Sequence, residues 1–279
     1  MQVIDFHTHT FPDAIAQRAI AGMQQNSHAA VFGSGTLDGL LQSMEQASIC
    51  RSVVLPVATN PLKISSINDK ILSQEKSQYV VSFGAMHPLA ENWKDELKRL
   101  AAAGVPGIKL HPQYQGMDIT DIRYLRILDH AASLNLLTVM HAGDEIAYPG
   151  EVRCSPEMVR SVFDQLGNIP LILAHMGGWK NWERVADNLC DTGCYLDTAI
   201  SLGNIVPIDD HYAPADLPLL SEEDFVSLVH AFGSQRILFG TDSPWADQQE
   251  EIRKISALPL EETEKQDIFY RNAVRLLQL

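Results

Sequence analysis

Short, continuous apolar runs recur along the chain. Each is followed by a longer stretch whose apolar residues fall at helical spacing. The runs are Val3–Phe6, Ser52–Val57, Tyr79–Met86, Gly107–His111, Leu136–His141, Leu171–His175, Cys194–Asp197 and Arg236–Gly240. Runs of this length, rich in Val, Ile, Leu and Phe, read as strands buried on both faces. Between them, Ala14–Gln25 reads as a helix, and Leu37, Leu40, Leu41 and Met44 line another behind Thr36, a natural N-cap. A helix is expected over 62–77. Trp93, Leu97 and Leu100 line one stopped by Gly104, and Ile122, Leu125, Leu128 and Ala132 line the next. Ser155-Pro156 opens a helix carrying Val159, Val162, Phe163 and Leu166, with Gly167 after it. Trp182, Val185, Ala186 and Leu189 line a further one. Ser221 with Asp224 resembles a capping box for a helix that Gly233 ends, and two terminal helices follow near 247–257 and 261–277.

Strand and helix therefore alternate about eight times, the pattern of a parallel sheet covered by helices. Eight units in 279 residues match an α/β fold of the (β/α)8 TIM barrel type, with room for distortion, in a single domain over residues 1–279. A doubly wound open sheet is the alternative. The barrel is preferred because polar residues stand at the C-terminal ends of most strands instead of at one switch point. Two excursions, residues 10–35 and 199–220, leave strand C-termini. They are expected over the barrel mouth, with Phe11 and Tyr212 shaping a pocket.

Charge narrows the partners. The chain carries 35 acidic and 21 basic residues, a net charge of −14, which works against nucleic acid and anionic membranes as partners and says nothing else about the substrate, expected to be a small molecule. No apolar run is long enough to cross a bilayer, and no basic segment with a following apolar stretch precedes the first strand. Cys50, Cys154, Cys190 and Cys194 fit no zinc or redox spacing and are expected to be reduced, as in a cytoplasmic protein. A homo-oligomer is left open.

The strand ends carry the chemistry. The first run ends in Asp5-Phe6-His7-Thr8-His9, where strand alternation puts both imidazoles and the carboxylate on one face. Imidazole is a good ligand for divalent transition metals, and a carboxylate behind it can orient the ring. Later strands end in His87, in Lys109 and His111, in His141, in His175, in Asp197 and in Asp242. A lone histidine at such a position is usually structural. So many at equivalent positions point to a metal site.

These residues also carry a resemblance. Asp5–His9 resembles the DxHxH signature of the amidohydrolase superfamily. Gly107–Pro112, His141-Ala142-Gly143, Ala174–Gly178 and Phe239–Pro244 resemble the later motifs of its amidohydrolase-2 branch, in order, and Asn272-Ala273 with Arg275–Leu277 is similar to its C-terminal helix. The resemblance implies a barrel holding one or two divalent metals. His7, His9, His141 and Asp242 are then ligands of one metal: zinc first, manganese or iron next, one ion in preference to two. It makes His175 the histidine beside the metal-bound water or a ligand of a second ion, and sets Lys109 where some members carry a bridging carbamate. The expected activity is hydrolysis of an amide, ester or lactone of a small organic substrate. Asp242 passes the proton, His175 stabilises the substrate oxygen, and His111 and Lys109 engage a substrate carboxylate. Non-oxidative decarboxylation or hydration of an unsaturated or aromatic acid is the alternative, and a non-catalytic metal-binding protein a distant one. A PHP-type phosphoesterase shares DxHxH but needs further motifs that have no match here. His87, Asp144, Glu145, Asp197 and His211 are weaker candidates. His28, His130 and His230 read as structural or exposed.

Overall fold

The computed structural model describes residues 2–74 and 77–279. Its strands are β1 (Ile4–Thr8), β2 (Arg51–Val54), β3 (Val80–Ser82), β4 (Gly84–Ala85), β5 (Gly107–Leu110), β6 (Leu137–Met140), β7 (Leu171–Leu173), β8 (Tyr195–Asp197) and β9 (Ile237–Leu238), with helical chain between most of them. β3 and β4 are two pieces of one expected strand, so eight strand positions remain among the described residues. Every pairing whose register is defined is parallel. The chain divides into two compact units. The first comprises Met1–Val54, Gln78–Val80 and Asp197–Leu279, and the second Leu55–Ser77 and Val81–Leu196.

In the first unit β1 is buried along its whole length. It pairs with β2 through Ile4↔Arg51, Asp5↔Ser52 and Thr8↔Val54, with an irregularity between Asp5 and Thr8. On its other side Phe6 N donates to Phe239 O at 2.7 Å, Asp242 N to His7 O at 2.8 Å and His9 N to Ser243 O at 2.7 Å. That side is what sets the Asp242 backbone beside His7. The 10–35 excursion holds a helix, Asp13–Ser27. It meets the 199–220 excursion through Ala30 N to Val206 O at 2.7 Å and Ile208 N to His28 O at 3.0 Å. His28 also stacks on His211, with ring centroids 3.8 Å apart, and bonds Asp209 at 2.8 Å.

In the second unit β4 to β8 pair in chain order through registers such as Ala85↔Lys109, Lys109↔Val139, Met140↔Leu173 and Leu173↔Leu196. Ser155 caps Pro156–Leu166 as expected, its hydroxyl accepting from Met158 N at 3.3 Å, and Gly167 follows that helix. The expected strand 79–86 is broken at Phe83, beside a point where the buried Asn68 amide takes the place of a ladder partner. Asn68 accepts from Ala85 N at 2.8 Å and donates to Ala85 O at 3.1 Å. The expected helix over 62–77 is a 3-10 turn at Pro61–Lys63 and an α-helix at Ile64–Ser73; residues 75–76 of that expectation lie outside the described residues. The seventh strand stops at Leu173, because His175 and Met176 take left-handed backbone at φ 59° and 52°.

None of the four cysteines is in a disulfide. Among the described residues no helix is long and apolar enough to cross a membrane.

One buried group in the first unit makes stability pH-dependent. Glu251, in the helix Gln248–Ala257, places its carboxylate against Gly203, where a side chain at that position would collide with it. Its Oε2 has no hydrogen-bond partner, and burial pushes its pKa up to about 8, with Lys254 opposing and Asp5 adding to the shift. The folded state thus holds a proton that the unfolded state releases above its ordinary value of 4.5. Stability from this group is full below that value and falls as pH rises to about 8, by up to about 1.4 kcal/mol per pH unit. Glu251→Gln should therefore gain on the wild type between pH 5 and pH 8. Thermal melts at both pH values check this, and an equal Tm difference at the two would refute it.

Candidate metal centre

In the first unit β1 ends in two imidazoles beside one carboxylate. His7 Nε2 and His9 Nε2 are 3.2 Å apart, and Asp242 Oδ1 lies 3.3 Å from the first and 2.9 Å from the second. Ligands of one tetrahedral ion at about 2.0–2.1 Å are about 3.3 Å from one another, so this triangle has the spacing of a ligand set. His7 and Asp242 are buried and His9 is half-buried. The ring of His7 is oriented by Asp197. Its Nδ1 lies 2.8 Å from Asp197 Oδ2, and a carboxylate only accepts, so Nδ1 carries the proton and Nε2 presents its lone pair.

The sequence reading assigned the orienting role to Asp5, and the structure moves it. Asp5 bonds backbone and the side chains of Thr241 and Gln248. It accepts from His7 N and Thr241 N, each at 3.1 Å, from Thr241 Oγ1 at 2.6 Å and from Gln248 Nε2 at 2.7 Å. Burial outweighs these donors and pushes its pKa up to about 7. Asp197 stood in the sequence only as one of several polar strand ends, and its pairing with a ring 190 positions away left no local signal.

In the second unit Lys109, His111, His141 and His175 are all buried. His141 Nδ1 is 3.0 Å from His175 Nε2, while its Nε2 lies 3.1 Å from the carbonyl of Asp144. A carbonyl only accepts, so His141 carries its proton on Nε2 and turns the Nδ1 lone pair towards His175. Burial depresses the His141 pKa well below the usual imidazole value, with His111, His175 and Lys109 adding to that and Glu145 opposing it. His111 is stacked between Tyr114 and His141, with centroids 4.0 Å from each. Glu145, a weaker candidate from sequence, is buried with its Oε2 3.5 Å from the Nε2 atoms of both His111 and His141. These three form a second group with ligand-like spacing. The Nε2–H tautomer of His141, however, turns its lone pair away from that group.

The remaining candidates have other surroundings. His87 caps a turn, accepting from Leu89 N at 3.1 Å, and burial lowers its pKa. Asp144 is half-buried, with burial raising its pKa against Lys180. His130 packs its edge on Trp93, and His230 is exposed. His175 and Asp242 sit in left-handed backbone, at φ 59° and 69°. Non-glycine residues reach that region at a cost and often at functional sites.

Parallel strands alternate with helices, and imidazoles and carboxylates stand at several strand ends. The amidohydrolase family profile matches residues 4–279, across both units, and the chain belongs to that family. A TIM-barrel protein from Bordetella bronchiseptica is similar over 100% of this chain and 99% of its own, at TM-score 0.77 and 16% identity. A dihydroxybenzoic acid decarboxylase from Polaromonas, solved with manganese and the inhibitor 2-nitroresorcinol, is similar over 100% of this chain and 97% of its own, at TM-score 0.69 and 14% identity. A protein assigned as a 2-pyrone-4,6-dicarboxylic acid hydrolase from Pseudomonas putida is similar over 99% and 97%, at 0.66 and 16%. These likenesses show the fold, an α/β TIM barrel. No curated protein sequence matches the chain.

Gly240 is where packing sets this centre. A Cβ there would stand 2.8 Å from the Cβ of His7 and 3.4 Å from that of Asp197. Gly240→Ala should displace His7 from Asp197 and destabilise the fold by about 1–3 kcal/mol. Bound metal should fall by more than half in protein that still melts cooperatively. Full metal content in the variant would show that the His7 position does not depend on this gap.

Proposed function

We propose that the protein is a metal-dependent hydrolase of a small organic substrate with an amide, ester or lactone bond. The observation that carries this is the His7, His9 and Asp242 triangle, with the His7 tautomer held by Asp197. These residues fit a divalent ion, zinc first and manganese or iron next, one ion in preference to two. His141 keeps the ligand role that the family resemblance implies, through Nδ1. A divalent ion supplies Lewis acidity and lowers the pKa of a coordinated water from about 15.7 towards about 7.

The chain's own residues do the rest. Asp242 Oδ1 accepts a proton at the ligand triangle and returns it to the leaving group. His175 Nε2 holds a developing oxyanion. Lys109 and His111, both buried at the end of β5, engage an acidic substrate group, Lys109 as a positive point charge. This anion-favouring cluster, in a chain of net charge −14, points to a substrate that carries a carboxylate. It also supports the second reading, non-oxidative decarboxylation of an unsaturated or aromatic acid. The small-molecule substrate and the cytoplasmic setting belong to the same proposal.

Two measurements test it. Protein purified without added metal should contain about one equivalent of a divalent transition metal, and His9→Ala should lose most of it. Content below about a tenth of an equivalent after reconstitution would end the metal reading. Asp242→Asn is nearly isosteric and should keep the fold and part of the metal, while kcat falls by about 10²–10⁴-fold. Wild-type kcat at full metal content would remove Asp242 from proton transfer. Carbon dioxide release in place of a hydrolytic product would select the decarboxylase reading.

A further inference from the structure

Glu145 has no role in the reaction proposed above, yet it occupies an unusual place in the second unit. After β6 the chain runs His141-Ala142-Gly143-Asp144-Glu145. It turns at Gly143, whose φ is 82° and whose missing side chain makes room for the backbone of Trp179. The turn brings Glu145 back over the ring of His141. There it meets three aromatic rings stacked in the order Tyr114, His111, His141, with interplanar angles of 15° and 13°. The carboxylate runs along the edge of this stack. Tyr114 Oη donates to Oε1 at 3.3 Å, and the Nε2 atoms of His111 and His141 each stand 3.5 Å from Oε2. Ala147 N also donates to Oε1, at 3.3 Å, which anchors the carboxylate to its own loop.

One anion facing two Nε2 atoms favours the proton on Nε2 in both rings. The other contacts agree. His111 Nδ1 accepts from Tyr114 N at 3.5 Å, and His141 Nε2 faces the Asp144 carbonyl at 3.1 Å. We propose that Glu145 is a positioning residue: alongside the Asp144 carbonyl it favours the Nε2–H form of His141 from the edge of the Tyr114–His111–His141 stack, so that Nδ1 is the nitrogen offered to metal. The metal part of this inference rests on the ligand role of His141 proposed above. The tautomer part does not. A carboxylate on the outer N–H of a ligating imidazole raises its basicity, and loss of such a partner commonly costs 10–100-fold in metal affinity.

The test uses Glu145→Gln, which keeps size and shape and removes the charge. Zinc affinity is measured by competition with a chelating dye, and histidine tautomers by ¹⁵N NMR of the metal-free protein. Cooperative melting shows that each variant is folded. Glu145→Gln should bind zinc 10–100-fold more weakly, and the Nε2–H share of His141 should fall measurably, with the Asp144 carbonyl holding the remainder. Tyr114→Phe, which keeps the ring stack, should change affinity less than threefold. Unchanged His141 tautomer in Glu145→Gln overturns the proposal, whatever the metal result. A retained tautomer shift with no zinc binding in the wild type leaves Glu145 as the positioning residue and refutes the metal reading instead. Wild-type zinc affinity in Glu145→Gln, where His141→Ala binds weakly, overturns the link from Glu145 to the metal.

Discussion

A buried carboxylate near the start of the chain ties the first strand to the last. Asp5 gathers four donors, two from the backbone of His7 and Thr241 and two from the side chains of Thr241 and Gln248. Burying it is costly, as its pKa near 7 shows, and the cost is offset only while those donors stay in place. The same four bonds set the backbone under His7 and one residue before Asp242. The rings and the carboxylate of the triangle are therefore held by a group that touches none of them. Gly240 completes the arrangement by leaving the space that His7 and Asp197 fill.

The two histidine clusters use one device, an outer acceptor that decides which nitrogen of the ring keeps its lone pair. For His7 the acceptor is Asp197, and Nε2 is released. For His141 it is the Asp144 carbonyl, with Glu145 alongside, and the Nδ1 lone pair is turned to His175. Left-handed backbone at His175 and Asp242 belongs to the same logic, since a residue held off its preferred conformation presents a side chain where regular strand geometry would not. Buried Lys109 is the anion-binding group of the proposed function, and the hydrolase and decarboxylase readings differ in what becomes of that anion.

Much of this was legible from sequence because it depends on local periodicity. Continuous apolar runs mark parallel strands, and Ser155, Thr36, Gly167 and Gly233 fall where helices begin and end. Histidines and carboxylates at successive strand ends pointed to metal chemistry, and the ordered motifs named the family. Strand lengths were less legible. The break at Phe83 follows from Asn68, 15 positions earlier in the chain, bonding the backbone of Ala85.

The sequence by itself determined the alternation of strands and helices, the family, and which side chains could ligate or carry charge, because residue type and spacing along one element decide those. Only the tertiary structure decided the partners: that Asp197 and not Asp5 orients His7, that Asp5 holds backbone, and that Glu145 edges the ring stack on His141. These contacts join residues brought together by strand register and by turns at glycine. Such a contact puts no periodic mark on the sequence, since either partner alone reads as an ordinary polar residue at the end of a strand.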